Sequence, residues 1–167
     1  EAFDTVVLDP GHGGDDHGAR GAGGLEEKSV ALGVAQHLAK ELRAAGLRVV
    51  MTRSGDETVP LTARTEMANR EQADLFLSLH ANASPSREAF GAETYFLHAD
   101  ATDDAARGLA ASENDATGLR ARGHAGGDLE MLLWDMAQQQ YLEESSRLAD
   151  SVQRELNELL GTRDRGV

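Results

Sequence analysis

The sequence predicts an α/β fold: a single layered domain, with a largely parallel or mixed central sheet flanked by helices and a helical insertion after the fourth strand. Two observations carry this. Short apolar runs recur at 5–9, 47–52 and 74–80, each long enough for a strand and too short for a helix. Between them lie stretches with apolar residues at helical spacing, and strands that alternate with helices of this length build parallel sheets. At 167 residues the chain has room for one real core, so one domain over 1–167 is expected.

"TVVLD" (5–9) reads as a buried strand, and a glycine-rich turn follows it. In "EEKSVALGVAQHLAKELRAAG" (26–46), Val30, Val34, Leu38 and Leu42 recur every fourth residue, with Ala31, Ala35 and Ala45 on the same side. Glu26 and Glu27 sit where the helix dipole favours anions, and Gly46 is placed as a stop. "LRVVMT" (47–52) is the second strand. "PLTARTEMANREQA" (60–73) is the second helix, which Pro60 can open because the first turn needs no N–H there. "DLFLSLH" (74–80) is the third strand and "AETYFLH" (92–98) the fourth.

From residue 100 the character changes. Residues 100–116 carry five acids against one arginine, and an Ala-rich piece runs into a Gly-rich one, which reads as an insertion over about 100–140. Helical periodicity returns over 129–161, where Leu148, Val152, Leu156 and Leu159 form one stripe, with a break expected near 138–140.

The formal charge of −13 disfavours a sequence-independent hold on nucleic acid. With no cysteine, any transition metal must be held by histidine and carboxylate. No apolar run approaches a membrane span, and the chain opens at Glu1 without a basic, apolar leader, so no membrane insertion is expected.

His12 and His80 each follow the end of an expected strand. The carboxyl ends of parallel strands share one edge, so the two imidazoles can converge there. Glu27 opens the helix after the first strand, and that helix end faces the same edge. Each residue also has an ordinary explanation alone: a polar loop histidine, or an acid complementing a helix dipole. Two imidazoles and one carboxylate suit zinc, and three protein ligands leave a coordination position for water or a substrate carbonyl. Hydrolysis of an amide is the natural use.

"LDPGHGGDDHGARG", "LEEKSVAL", "MTRSGDETVPLTARTEMAN", "LFLSLHANAS" and "GAETYFL" follow one another in an order and spacing that resemble the zinc-dependent N-acetylmuramoyl-L-alanine amidases, the bacterial cell-wall Amidase_3 family. The resemblance covers most of 3–98. It implies one zinc ion held by His12, Glu27 and His80, and hydrolysis of the amide joining N-acetylmuramic acid to L-alanine of the peptidoglycan stem peptide. It also implies that Gly11, Gly13 and Gly14 keep the metal loop low so that a glycan strand can reach it. His17, Arg20 and Arg53 are candidates for shaping the groove, and Arg64 is taken as structural.

Family members continue, after a segment like "RDRGV" (163–167), into a strand whose Glu-x-Gly-Phe motif supplies the general base. The sequence ends at Val167, so the expectation is a C-terminally incomplete catalytic domain with no catalytic residue of that kind and little or no activity. "DDAARGLAASEND" and "LEMLLWDMAQQQYLEESSRLA" resemble the division-associated Gram-negative subgroup. That likeness implies a helical segment that donates a glutamate to the zinc until an activator protein of the LytM-like kind moves it. Glu113 is the first candidate for this autoinhibitory ligand and Glu130 the second. A periplasmic location and a role in daughter-cell separation follow from the same resemblance, with a secreted or wall-bound location as the alternative. The competing readings are a zinc peptidase or carboxypeptidase acting on stem peptides, and a non-catalytic module that binds wall or activator.

Overall fold

A computed structural model describes residues 3–83, 90–96, 128–162 and 167, with the side chains of 128–140 outside the description. It divides into two compact units, Glu1–Pro85 and Ser86–Val167.

The first unit holds a parallel three-stranded sheet in the order β2-β1-β3: β1 (Thr5–Pro10), β2 (Arg48–Met51) and β3 (Leu75–Leu79). Helix α1 (Glu27–Ala44) crosses from β1 to β2, and α2 (Leu61–Arg70) from β2 to β3. β1 is central, with Val6 paired to Val49 on one side and to Leu75 on the other. All six of its residues are buried, as expected of a strand covered on both faces.

Val6, Leu8, Ala39 and Val49 form the core, with Leu38, Leu42, Leu47, Met51, Leu75 and Leu77 packed against them. The row that the periodicity suggested holds at Leu38 and Leu42, with Ala31 and Ala35 beside them, and fails at Val34. Ala31, Ala35 and Ala39 are buried, whereas Val34 is exposed. Methyl side chains let the helix lie close to the sheet, leaving Leu38 and Leu42 to fill the flank. Pro60 caps α2 from just outside it rather than serving as its first residue.

In the second unit, α3 (Asp128–Leu160) runs as one helix, so the break expected near 138–140 does not occur. Three glutamines there are good helix formers and give the chain no reason to stop. The expected fourth strand does not form over residues 92–96, and 97–98 lie outside the described residues. Buried Gln153 of α3 takes up this segment's polar groups: its Nε2 donates to the Ala92 carbonyl at 2.8 Å, and its Oε1 accepts from Thr94 Oγ1 at 2.9 Å. Among the described residues, no helix is long and apolar enough to cross a membrane.

Candidate metal centre

The sheet order sends the chain from β1 to one neighbour and later to the other, which puts the topological switch point at the carboxyl ends of β1 and β3. His12 lies two residues beyond β1 and His80 one residue beyond β3. The ladder extends past the strands through Gly11 N–H, which donates to Leu79 O at 2.9 Å, and this brings the two loops together. Glu27 enters from the first turn of α1.

The candidate ligand atoms of His12, Glu27 and His80 all lie within 4.8 Å of one another. His12 Nε2 and His80 Nδ1 each stand 3.2 Å from Glu27 Oε1. The rings meet edge to face with centroids 4.8 Å apart. Zinc bonds of about 2.0–2.1 Å in a tetrahedron place neighbouring ligand atoms about 3.3 Å apart, so the spacing to Glu27 fits that ion. His12 Nε2 is buried and has no hydrogen-bond partner, its approach to Glu27 lacking the alignment of a bond. A donor set of this chemistry, with an orphaned nitrogen turned into it, fits a divalent transition metal.

Glu27 is almost wholly buried, and burial works to raise its pKa. Bonds from His80, Ala19 N–H and Ala81 N–H, together with the charge of His12, outweigh this and hold its carboxyl at about 2. It is therefore a ready anion. On the far side of the His12 ring, Nδ1 lies 2.9 Å from Asp16 Oδ2, which orients the imidazole with Nε2 toward Glu27. Burial pushes Asp16 upward, but His12, Gly18 N–H and Arg64 together keep its carboxyl below the usual range.

The loop carrying His12 is held carbonyl by carbonyl. Pro10 O accepts from Arg53 Nε and Arg64 Nη1, Gly11 O from Arg53 Nη2, and His12 O from Arg64 Nη2. Gly13 O accepts from Thr58 Oγ1 and Gly14 O from Lys28 Nζ. Beneath it, buried Asp9 accepts from Arg64 Nη1 and Thr52 Oγ1, both at 2.6 Å, and from Ser78 Oγ at 2.9 Å. His12 itself adopts φ 62°, a left-handed conformation rare for a residue with a side chain.

The glycines of this loop answer a packing requirement inside the chain. A Cβ on Gly11 would stand 2.5 Å from the His80 ring, and one on Gly13 would stand 2.3 Å from Glu57 O. The space they leave is occupied by His80 and by the 57–58 segment.

The expected groove residues separate. Arg53 is 2% exposed with its donors on carbonyl oxygens, so it supports the loop and does not line a groove. Burial, with the charge of Arg64, pushes its pKa below the ordinary value. Exposed Arg20 and half-exposed His17 both turn to Glu26, at 3.7 and 3.0 Å. Arg64 is structural, as expected. Glu113 lies outside the described residues; Glu130 is on α3, its side chain outside the description. Asp9, Asp16, Lys28 and Thr58 were missed, although all lie within segments that carry the family resemblance. An acid four residues after His12 and a lysine beside Glu27 were the available signals.

A family model described as Amidase_3, N-acetylmuramoyl-L-alanine amidase, matches residues 6–167. The chain is 38% identical over 157 residues, 93% of its length, to N-acetylmuramoyl-L-alanine amidase AmiC of Neisseria meningitidis serogroup B. It is 36% identical, over 91% of its length, to AmiA of Escherichia coli K12. It spans 38% and 54% of those two relatives. Among solved structures, the catalytic domain of CwlV, an N-acetylmuramoyl-L-alanine amidase from Bacillus (Paenibacillus) polymyxa var. colistinus, is similar with a TM-score of 0.54 at 37% identity. That match covers 71% of this chain and 67% of the other.

Proposed function

The chain belongs to the Amidase_3 family of N-acetylmuramoyl-L-alanine amidases, and from that premise we propose that it hydrolyses the amide between N-acetylmuramic acid and L-alanine of the peptidoglycan stem peptide, with zinc held by His12, Glu27 and His80. The observation that carries this is the pair of imidazole nitrogens, each 3.2 Å from one oxygen of a buried carboxylate. Held by His12, Glu27 and His80, a zinc ion would supply Lewis acidity toward an amide carbonyl and would lower the pKa of water to about 7. The chain's own residues do the rest of what can be assigned. Asp16 orients His12, the N–H groups of Ala19 and Ala81 fix Glu27 as an anion, and the 10–14 loop is held against movement. His17 and Arg20, gathered at Glu26, are the groove candidates that remain, and Arg20 offers an exposed cation to an acidic stem peptide.

Residues 1–167 act within one catalytic domain, with about 100–140 as a regulatory insertion. Glu113, or failing it Glu130, fills the open metal position, and a LytM-like activator protein withdraws it. The setting is periplasmic cell-wall remodelling at daughter-cell separation. These assignments rest on the resemblance of the insertion to the division-associated subgroup.

Purified peptidoglycan treated with the protein, its chain continued through the expected Glu-x-Gly-Phe strand, should release intact stem peptides and leave unmodified glycan when the products are weighed. Loss of a terminal D-alanine alone would overturn the assignment in favour of a carboxypeptidase. For the regulatory assignment, Glu113→Ala in a chain continued through the expected Glu-x-Gly-Phe strand should raise basal activity with metal still bound. No rise removes Glu113 from that role.

A further inference from the structure

We propose that Arg53 is a positioning residue for the metal centre, its guanidinium fixing the His12 loop against the first turn of α1 and so setting the separation of His12 from Glu27. The inference rests on the metal reading given above. Arg53 Nη2 donates to Gly11 O and to Lys28 O, both at 2.8 Å. The first acceptor immediately precedes His12 and the second immediately follows Glu27, so one nitrogen joins the backbones of two ligand-bearing segments. Nε donates to Pro10 O at 3.0 Å, and Nη1 to Gly55 O at 2.9 Å, which anchors the fork in its own loop.

The chemistry of the side chain matters here. A guanidinium presents donors in a rigid plane, whereas an ammonium is a compact point charge on a flexible stem. Lysine at 53 can keep a positive charge under the loop but cannot span carbonyls spread around the fork. Arg53 also differs from Arg64 in its partners. Arg64 is ion-paired with buried Asp9, so its loss strands an anion. The hydrogen bonds of Arg53 go to carbonyl oxygens, so a neutral replacement leaves no carboxylate unpaired.

The test measures zinc affinity by chelator competition, together with the visible absorption of the cobalt-substituted protein. The proteins compared are the wild type, Arg53→Lys, Arg53→Gln and Val49→Ala. Each is first shown by circular dichroism to be folded at the temperature used. Val49 belongs to the core, where it pairs with Val6 and packs with Ala39, positions removed in sequence from His12 and Glu27, so Val49→Ala should melt lower yet keep wild-type affinity and spectrum. Both Arg53 variants should lose at least about tenfold in affinity and shift the cobalt bands, because the ligand set is no longer held at its spacing. If Arg53→Lys does not fold, Arg53→Gln is read in its place. Arg53 variants that fold and bind as the wild type does would overturn the positioning role alone. A wild type that binds neither metal would overturn the metal reading and this inference with it.

Discussion

β1 and β3 lie side by side in the sheet, and each delivers one imidazole to the same centre. They leave the sheet in different ways. After β3 the chain continues directly to His80, with Leu79 O tied to Gly11 N–H and Ala81 N–H tied to Glu27. After β1 the backbone turns through left-handed conformations at His12, Gly13 and Gly14, and successive carbonyls from Pro10 to Gly14 are held by side chains from elsewhere in the sequence. A side-chain-bearing residue in that region costs about 1–2 kcal/mol. Hydrogen bonds to charged groups contribute about 1.5–3 kcal/mol each. The cage therefore outweighs the strain, and the second exit is a built geometry where the first is an extension of the strand.

The comparison breaks most completely at the residue both exits share. Glu27→Ala removes the oxygen that faces both imidazoles, and zinc affinity should fall by more than the roughly 100-fold that marks loss of an outer partner. Chelator competition reads it, and near wild-type affinity would remove Glu27 from the ligand set. Next in size, Arg64→Leu strands Asp9 beneath the β1 exit. Breaking a buried pair in this way costs about 3–5 kcal/mol, read as a drop in unfolding free energy in urea. A loss under 1 kcal/mol would mean the pair is not buried as described.

Two glycine substitutions sharpen the contrast. Gly13→Ala meets both an unfavourable φ of 128° and the Glu57 carbonyl, and should lose about 1–3 kcal/mol of stability or more. Gly11→Ala meets the His80 ring, so its larger effect should be on metal affinity, with a smaller loss of stability. Equal effects of the two variants on stability and on affinity would erase the distinction between the exits.

The smallest effect is expected at the other end of the sheet. Asp74 Oδ2 accepts from Asp4 N–H and Thr5 N–H, and these bonds hold its carboxyl below the usual range. A group with a depressed folded value contributes its stability above the ordinary aspartate pKa and loses it as pH falls through the depressed one. Asp74→Asn should thus lower the melting temperature slightly at neutral pH, with the difference from wild type vanishing in acid. A difference independent of pH would assign the effect to packing.

The same contrast explains what could be read beforehand. Strands 5–9, 47–52 and 74–80 and both helices of the first unit were legible because their apolar spacing is local. His80 was legible because it continues a strand. His12 was found, but the packing requirement on its glycines was not: the atoms that demand them belong to His80 and to residues 57–58, more than forty positions away. Arg53 looked like a groove residue because arginine is usually exposed, and nothing local announces a guanidinium turned inward onto carbonyls. The fourth strand failed for a similar reason. Alternation in "AETYFLH" is a local signal, and the partner that takes up Ala92 and Thr94 is a glutamine on α3.

The most direct test is X-ray absorption at the zinc edge of protein loaded with one equivalent of zinc. The expected result is one ion per chain whose shell includes two imidazoles, falling to one in either His12→Ala or His80→Ala. Zinc that fails to remain bound, or a shell that neither substitution changes, would contradict a centre built from these two strand exits.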